Sequence, residues 1–417
     1  MFAIAWKSLR NRWPTALLAI LAIVMSVALI LTVEKIRRDA RSSFTQTVSG
    51  TDLIVGARSG AVQLLLYSVF RIGNATNNIS WESVQDIAQR PAVDWMVPLS
   101  LGDSHMGFRV VGTDNGFFEH FRYGNDRSLV LAEGRQFEDV FDTVIGSEVA
   151  EQLGYTLGQS IVVAHGTGNV GLVEHDQQPF TVSGILARTG TPVDRAVHVS
   201  LEGIEAMHVD WQSGAKVRGE GTSAETIRGM DLEPTAVTAL LIGLKSRGTV
   251  FREQRAINTY AEEPLLAILP GVALQELWGL VGVAESALFI VSVSVVVCGL
   301  INLVSVLLAG LNERRREMAI LRSAGARPLH VFLLLCIEST LLTIVGVVLG
   351  LALHYLLTLI GGQWLQHHYG ISVALALPGK SDWLILVSIV AAGLLAGLLP
   401  ALSAYRKSLA DGMAQRL

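Results

Sequence analysis

Four apolar stretches, each long enough to cross a lipid bilayer, constrain this chain more than any other feature of its sequence. A span needs about 20 predominantly apolar residues, and the stretches are Pro14 to Val33, Val283 to Gly310, Leu329 to Ile360 and Asp382 to Tyr405. The first carries no charge, and its Pro14 suits the opening turn of a helix. Its apolar run is longer than that of a secretory leader, and "EKIRRDARSS" after it offers no small-x-small cleavage site, so it reads as a retained anchor. A content of 51% hydrophobic and only 16% charged residues is that of a membrane protein.

Residues 35–280 are a different material. Gly-rich turns separate short alternating runs such as "GFRVVGTD" and "FTVSGILA", whose period of two predicts strands. "SWESVQDIAQR" predicts a helix opened by Ser80 as its N-cap. The region is long enough for a full α+β domain in two lobes, and the polar, Gly-rich residues 211–234 predict a flexible excursion from it. The expected fold is thus a membrane protein with four transmembrane α-helices and a large α+β extracytoplasmic domain between spans one and two. The expected boundaries are a cytoplasmic amphipathic segment at 1–13, span 1 at 14–34, the outer domain at 35–280 and span 2 with a stalk at 281–311. A cytoplasmic helix follows at 312–328, then span 3 at 329–360, an outer loop at 361–381, span 4 at 382–405 and a cytoplasmic tail at 406–417.

Orientation follows from lysines and arginines in short loops, which stay on the cytoplasmic side. Lys7, Arg10 and Arg12 precede the first span, Arg314, Arg315, Arg316, Arg322 and Arg327 lie between spans two and three, and Arg406, Lys407 and Arg416 follow the fourth. Only Lys380 lies between spans three and four. Both termini are therefore expected inside. Lys35, Arg37, Arg38 and Arg41 argue against this, although Glu34 and Asp39 partly offset them and long translocated domains are largely indifferent to the rule. A formal net charge of −4 gives no sign of a nucleic-acid partner.

Between spans two and three stands "NERRREMAILRSAGARP". Asn312 can cap a helix there, with Glu313 in its first turn and Gly325 and Pro328 ending it. Met318, Ile320 and Leu321 give an apolar edge, while Arg314, Arg315, Glu317 and Arg322 supply charge. On physics alone the segment is an amphipathic surface helix, a docking element for a cytosolic partner, or a solvated loop that only fixes topology.

Nearly the whole chain resembles the MacB, Lol and FtsX type of ABC transporter permease. "FAIAWKSLRNRWPTALLAILAIVMSVALIL" resembles the family's opening, and "DTVIGSEVAEQLGYTLGQSIVVA" and "FTVSGILARTGTPVDRAVHVSLEGI" resemble phrases of its periplasmic domain. The most specific match is "INLVSVLLAGLNERRREMAILRSAGARPLHVFLLLCIESTLLTIVGVVLG", where the Asn302 to Glu313 spacing is closest to the lipoprotein-releasing permeases. The resemblance implies that Glu313, Arg314, Arg315, Arg316, Glu317, Met318, Ile320, Leu321, Arg322, Gly325 and Ala326 belong to a coupling helix seated in a groove of a separate ATPase. It further implies a bacterial inner-membrane location, two ATPase copies, a second permease copy in a homo- or heterodimer, contact with membrane lipid, and a periplasmic or outer-membrane partner. ATP and Mg²⁺ would be bound by the ATPase, and this chain would bind no cofactor. Transport of a lipidated, hydrophobic or peptide-like substrate is the first expectation. The alternatives are FtsX-like signalling to a periplasmic protein and, more weakly, handling of a metal or metal chelate.

The residues themselves fit a lever. Val283 to Gly310 is 28 residues, about 42 Å of helix against a hydrocarbon core of about 30 Å, so it should project as a stalk. Glu338 and His354 are the only ionisable residues well inside a span, fewer than a conducting path needs. Glu338 matches an acidic position common in the family's third span, and it is expected either to pair helices or to gate; with Asn302 it forms the intramembrane polar set. His354 is expected at the interface.

No catalytic motif is present. "PGKS" at 378–381 resembles the end of a Walker A loop, but Ala374 stands where that loop needs glycine. Neither a G-x-S-x-G elbow nor an H-E-x-x-H pair occurs. His165, His175, His367 and His368 gather on the outer side without a ligand spacing and are read as ordinary histidines, not a metal site. Cys298 and Cys336 sit in apolar runs as packing residues. Finally, Ala61 to Phe70 is too short to span. It is either a core helix, or a segment whose Leu64, Leu65, Leu66 and Phe70 meet the membrane or a hydrophobic substrate.

Overall fold

A computed structural model of the chain describes residues 13–47, 49–124, 126–165, 178–212, 215–216, 222–313, 326–369 and 376–413. It divides into two compact units, Met1–Asp39 with Gly282–Leu417, and Ala40–Val281.

Four helices, Trp13–Gln46, Pro270–Glu313, Pro328–Tyr369 and Lys380–Met413, are apolar and long enough to cross a membrane, and the first unit holds all of them but residues 40–46 and 270–281. Proline opens two of them, where a missing N–H costs nothing. Asp382 sits in the first turn of the fourth, and its carboxylate accepts from the Gly379 N–H at 2.9 Å. Every helix overruns its apolar stretch, because backbone hydrogen bonding continues beyond the lipid wherever no breaker intervenes. The outer loop expected at 361–381 is therefore helical as far as Tyr369. Ala19, Ile23, Val27 and Leu31 of the first span pack with Leu303 of the second, Leu342 and Val347 of the third and Leu386 and Ile389 of the fourth. Leu288, Phe289, Ile290 and Val291 of the second span are exposed, which lipid tolerates and water does not.

The second unit is a mixed α/β domain on an eleven-stranded sheet. Its main strands are β1 (Leu53–Ala57), β2 (Val93–His105), β3 (Phe108–Thr113), β4 (Leu131–Gly134), β5 (Asp142–Ile145), β6 (Phe180–Leu186), β7 (Ala196–Ser200), β8 (Ala239–Leu244) and β9 (Leu265–Ile268). They lie in the order β9-β1-β8-β2-β3-β7-β5-β6-β4, with β3 parallel to β7 and β5 parallel to β6. Alternation along each strand divides the core between two faces. Ile54, Leu99, Val111, Val144 and Ala196 meet one continuous cluster, while the other face splits into a cluster around Leu53, Val55 and Leu240 and another around Phe108, Val110 and Val197. The register between β2 and β3 shifts between Leu101 and Ser104, an irregularity of the kind that bends long strands.

Local signals in the sequence hold where they were strongest. Ser80 caps the helix Trp81–Ala88, its hydroxyl accepting from Ser83 N. Of the excursion expected at 211–234, residues 213–214 and 217–221 lie outside the described set. Part of the remainder is packed: Ser223 caps a short helix, Ala224–Arg228, that carries Ile227 fully buried into the core.

Candidate functional site

Small residues let the four spans approach closely. A Cβ added at Gly346 or Gly350 of the third span would come within 2.6 Å of Ile23 or 2.7 Å of Val27 on the first. Gly393 and Gly397 of the fourth span, a G-x-x-x-G pair, leave only 2.3 Å and 2.5 Å for such an atom before Thr343 and Ser339 of the third. Polar side chains bond across the same seams. Ser26 donates to Ala22 O at 2.7 Å and to Val295 O of the second span at 3.1 Å, and Ser339 donates to Gly393 O at 2.8 Å.

One end of the bundle carries charge. Arg38 of the first-span helix donates to Ser381 Oγ at 2.6 Å and to Asp382 Oδ1 at 2.5 Å, both at the start of the fourth. Arg37 takes a bidentate hold on Glu34, at 3.0 and 2.8 Å, and reaches Glu285 of the second span at 3.9 Å. Lys35 pairs with Asp39 at 3.0 Å. Beneath them Thr32 Oγ1 and His354 Nδ1 share a hydrogen bond of 2.9 Å, so His354 is buried between spans one and three. Lys35, Arg37 and Arg38, which follow span one, are thereby tied to carboxylates on three helices. Sequence reasoning weighed them only as topology signals. Their clustering beside Glu34 and Asp39 was the available clue, whereas the partners Glu285 and Asp382 lie hundreds of residues away.

The residues expected to carry function are distributed as follows. Asn312 and Glu313 are helical, the last described residues of the second-span helix. Residues 314–325, which include Arg314, Arg315, Arg316, Glu317, Met318, Ile320, Leu321, Arg322 and Gly325, lie outside the described residues, and Ala326 is half-buried. Asn302 is half-buried on the second span, and Glu338 is fully buried on the third, next to Ser339 at the seam with the fourth. Between Leu333, Cys336, Ile337 and Leu341 of the third span and Leu394 of the fourth runs an apolar groove of about 550 Å³.

In the outer domain Leu64 and Leu65 are fully buried, Phe70 is 7% exposed and Leu66 is half-buried. The helix Ala61–Ser68 packs on the sheet, where Gly56 admits it: a Cβ there would lie 2.5 Å from Leu64. These side chains are core, which corrects the alternative that they meet the membrane or substrate. His175 lies outside the described residues, as do the side chains of His165, His367 and His368. Among the described residues no group of three or more His, Cys, Asp or Glu is arranged to hold a metal ion.

Sequence comparison finds two family matches. The FtsX-like permease C-terminal family covers residues 289–409, and the MacB-like periplasmic core domain covers residues 16–237. No curated protein sequence matches. Among solved structures, the periplasmic region of MacB from Actinobacillus actinomycetemcomitans is 10% identical, with a TM-score of 0.34 over 55% of this chain and 94% of that one. The extracellular domain of the noncanonic ABC-type transporter YknZ from Gram-positive bacteria is 14% identical, with a TM-score of 0.30 over 52% and 99%.

Proposed function

The chain belongs to the ABC permease family that joins a MacB-like periplasmic core domain to an FtsX-like C-terminal region, and on that premise we propose that it moves its outer domain by coupling to ATP hydrolysis in a separate cytosolic ATPase. Members of this family work with such an ATPase and dimerise. The observation that carries the reading is the second-span helix. It is unbroken from Pro270 to Glu313 over 44 residues, about 66 Å against a hydrocarbon core of about 30 Å. In this scheme a helix of that length carries displacement from one end to the other. At its cytoplasmic end begins the segment that the resemblance assigns to coupling, so closure of two ATPase copies on ATP and Mg²⁺ would push there and do its work outside the membrane. The chain itself contributes no nucleotide site in this scheme. It lies in the inner membrane with both termini inside.

The glycine-packed seams supply rigidity, and the charged end ties the first span to the second and fourth. The cargo in this reading is a lipidated, hydrophobic or peptide-like molecule drawn from the outer leaflet or periplasm. A signalling subunit that regulates a periplasmic enzyme would use the same parts.

The test is to isolate the chain from its native membrane in nanodiscs and identify by mass spectrometry what accompanies it. A P-loop ATPase together with lipoprotein, lipid or peptide supports transport. The ATPase with only a periplasmic hydrolase or regulator replaces transport by signalling, and recovery without any ATPase overturns both.

A further inference from the structure

The third and fourth spans leave a groove between them that the bundle itself does not fill. It holds about 550 Å³ and is lined by Leu333, Ile337, Leu341 and Ile344 of the third span and Leu394 of the fourth, a volume within the range of sites that hold a small ligand. Leu333 and Leu394, one on each wall, are 43% and 42% exposed, so the groove opens sideways out of the bundle. Thr340 brings a hydroxyl to the lining, but it donates to Cys336 O at 2.8 Å and is satisfied within its own helix. The groove therefore offers dispersion contacts and asks for no hydrogen bond.

Length assigns the groove to one half of the bilayer. From Leu333 to Val345 it runs about 18 Å at 1.5 Å per residue, a little more than half of a hydrocarbon core of about 30 Å. His330 lies three residues before Leu333, on the same side of the helix. It is exposed, and its Nδ1 accepts from the Arg327 N–H at 2.9 Å, which leaves Nε2 to carry the ring proton as a donor. Arg327 is exposed beside it and forms no ion pair among the described residues, whereas Lys35, Arg37 and Arg38 at the other end of the bundle are all paired. Val331 and Leu335 pack with Ala401 and Ala404, so the fourth-span helix passes here too and continues with Arg406 and Lys407.

An apolar groove alone does not select among lipids, but its end does. An acyl chain lying in it emerges among cations, where basic positions between helices attract anionic headgroups. A second copy of the chain seated there by two-fold symmetry would bring the same cations together, which like-charge repulsion opposes.

We propose that this groove holds an acyl chain of an anionic phospholipid such as phosphatidylglycerol, whose phosphate is met by Arg327 and by the Nε2–H of His330. The assignment to the cytoplasmic leaflet rests on the orientation proposed above. The binding itself does not, and it needs neither ATPase nor cargo.

The test places the full chain in phosphatidylcholine nanodiscs that contain a minor fraction of phosphatidylglycerol with a diazirine in its acyl chain, and maps the photoadducts by mass spectrometry. Adducts should concentrate on residues 333–345, fall when unlabelled phosphatidylglycerol is added, and persist when more phosphatidylcholine is added instead. Leu333→Trp and Leu394→Trp put an indole into the groove from opposite walls, at positions already open to lipid, and each should lower labelling of that stretch roughly tenfold or more. Unchanged labelling of the other spans shows that these variants remain folded in the bilayer. Arg327→Gln should weaken the preference for phosphatidylglycerol over phosphatidylcholine about fivefold. Labelling spread evenly over the lipid-facing spans, or equal with phosphatidylcholine carrying the same diazirine, means ordinary boundary lipid and overturns the site. A photoreactive side chain in place of Ile337 that joins two copies of the chain instead of trapping lipid also overturns it, and gives the groove to the dimer. Protease protection in native membranes reports the orientation separately, so failure of that reading and failure of the lipid site are distinguishable.

Discussion

The two units of this molecule place their paired charges differently, at one end of the bundle in the first and around the sheet in the second. In the membrane unit, Arg37 and Arg38 meet carboxylates drawn from their own helix, the second span and the fourth, with Ser381 and Gly379 completing the set. In the outer domain, Arg135, Arg188 and Arg195 meet the buried carboxylates of Asp142 and Glu148, whereas Arg71 and Arg109 donate to backbone carbonyls and one asparagine. Both units exclude water from their cores, and both neutralise carboxylates that they enclose, the outer domain pairing Asp142 with Arg135, Glu148 with Arg188 and Arg195, and Glu253 with Arg90. Paired charge at the end of a helix bundle holds helices together, whereas the pairs of the outer domain tie loops and short helices to the sheet.

Perturbations that sharpen this contrast can be ranked. Leu65→Asp places a carboxylate in the fully buried core of the outer domain, and a loss of roughly 4–5 kcal/mol or more is expected. Thermal unfolding should show it as collapse of the domain's transition; a folded variant with altered cargo handling would return this helix to a contact role. Next comes His198, which burial and the charge of Arg71 hold neutral. Its unfolded imidazole takes up a proton near pH 6.5 and its folded one not until about 3, so stability falls as the pH is lowered, by about 1.4 kcal/mol per unit below 6.5. Asp114 works in the other sense, because burial pushes its carboxyl up to about 6 and stability is lost as the pH rises through that range. His198→Gln should therefore abolish the acid-side loss and leave the Asp114 slope exposed in pH-dependent melts.

Effects in the membrane unit are expected to be smaller. Gly393→Val forces a side chain against Thr343 and should cost about 1–3 kcal/mol of helix packing, read from unfolding in mixed micelles. Arg38→Glu breaks a half-exposed pair, worth about 1 kcal/mol or less. The informative variant is the swap of Arg38→Glu with Asp382→Arg, which should recover what either single change loses. Failure of the swap would mean that the ring of charges is not a clamp.

Much of this architecture was legible because membranes impose lengths. Apolar runs marked all four spans, but helix ends beyond the lipid were not marked: the second-span helix begins at Pro270, ahead of its apolar run, and nothing in "GGQWLQHHY" stops a helix. In the outer domain, "GFRVVGTD" became β3, with Phe108 and Val110 on one face and Val111 on the other. Strand order did not follow from such runs, because the pairing of β3 with β7 joins residues nearly ninety apart through surface complementarity alone. The same holds for the polar sites. Arg38 and Asp382 are separated by 344 residues, a pairing that no linear reading could detect.

The most direct test of the coupling mechanism is co-purification of the ATPase with wild-type and Glu317→Lys chains from membranes, with insertion of both verified by protease protection of the outer domain. The expected result is full insertion with ATPase association reduced roughly tenfold or more in the variant, and Gly325→Pro should behave alike. Undiminished association in both variants would contradict the claim that residues 313–326 are where the ATPase takes hold.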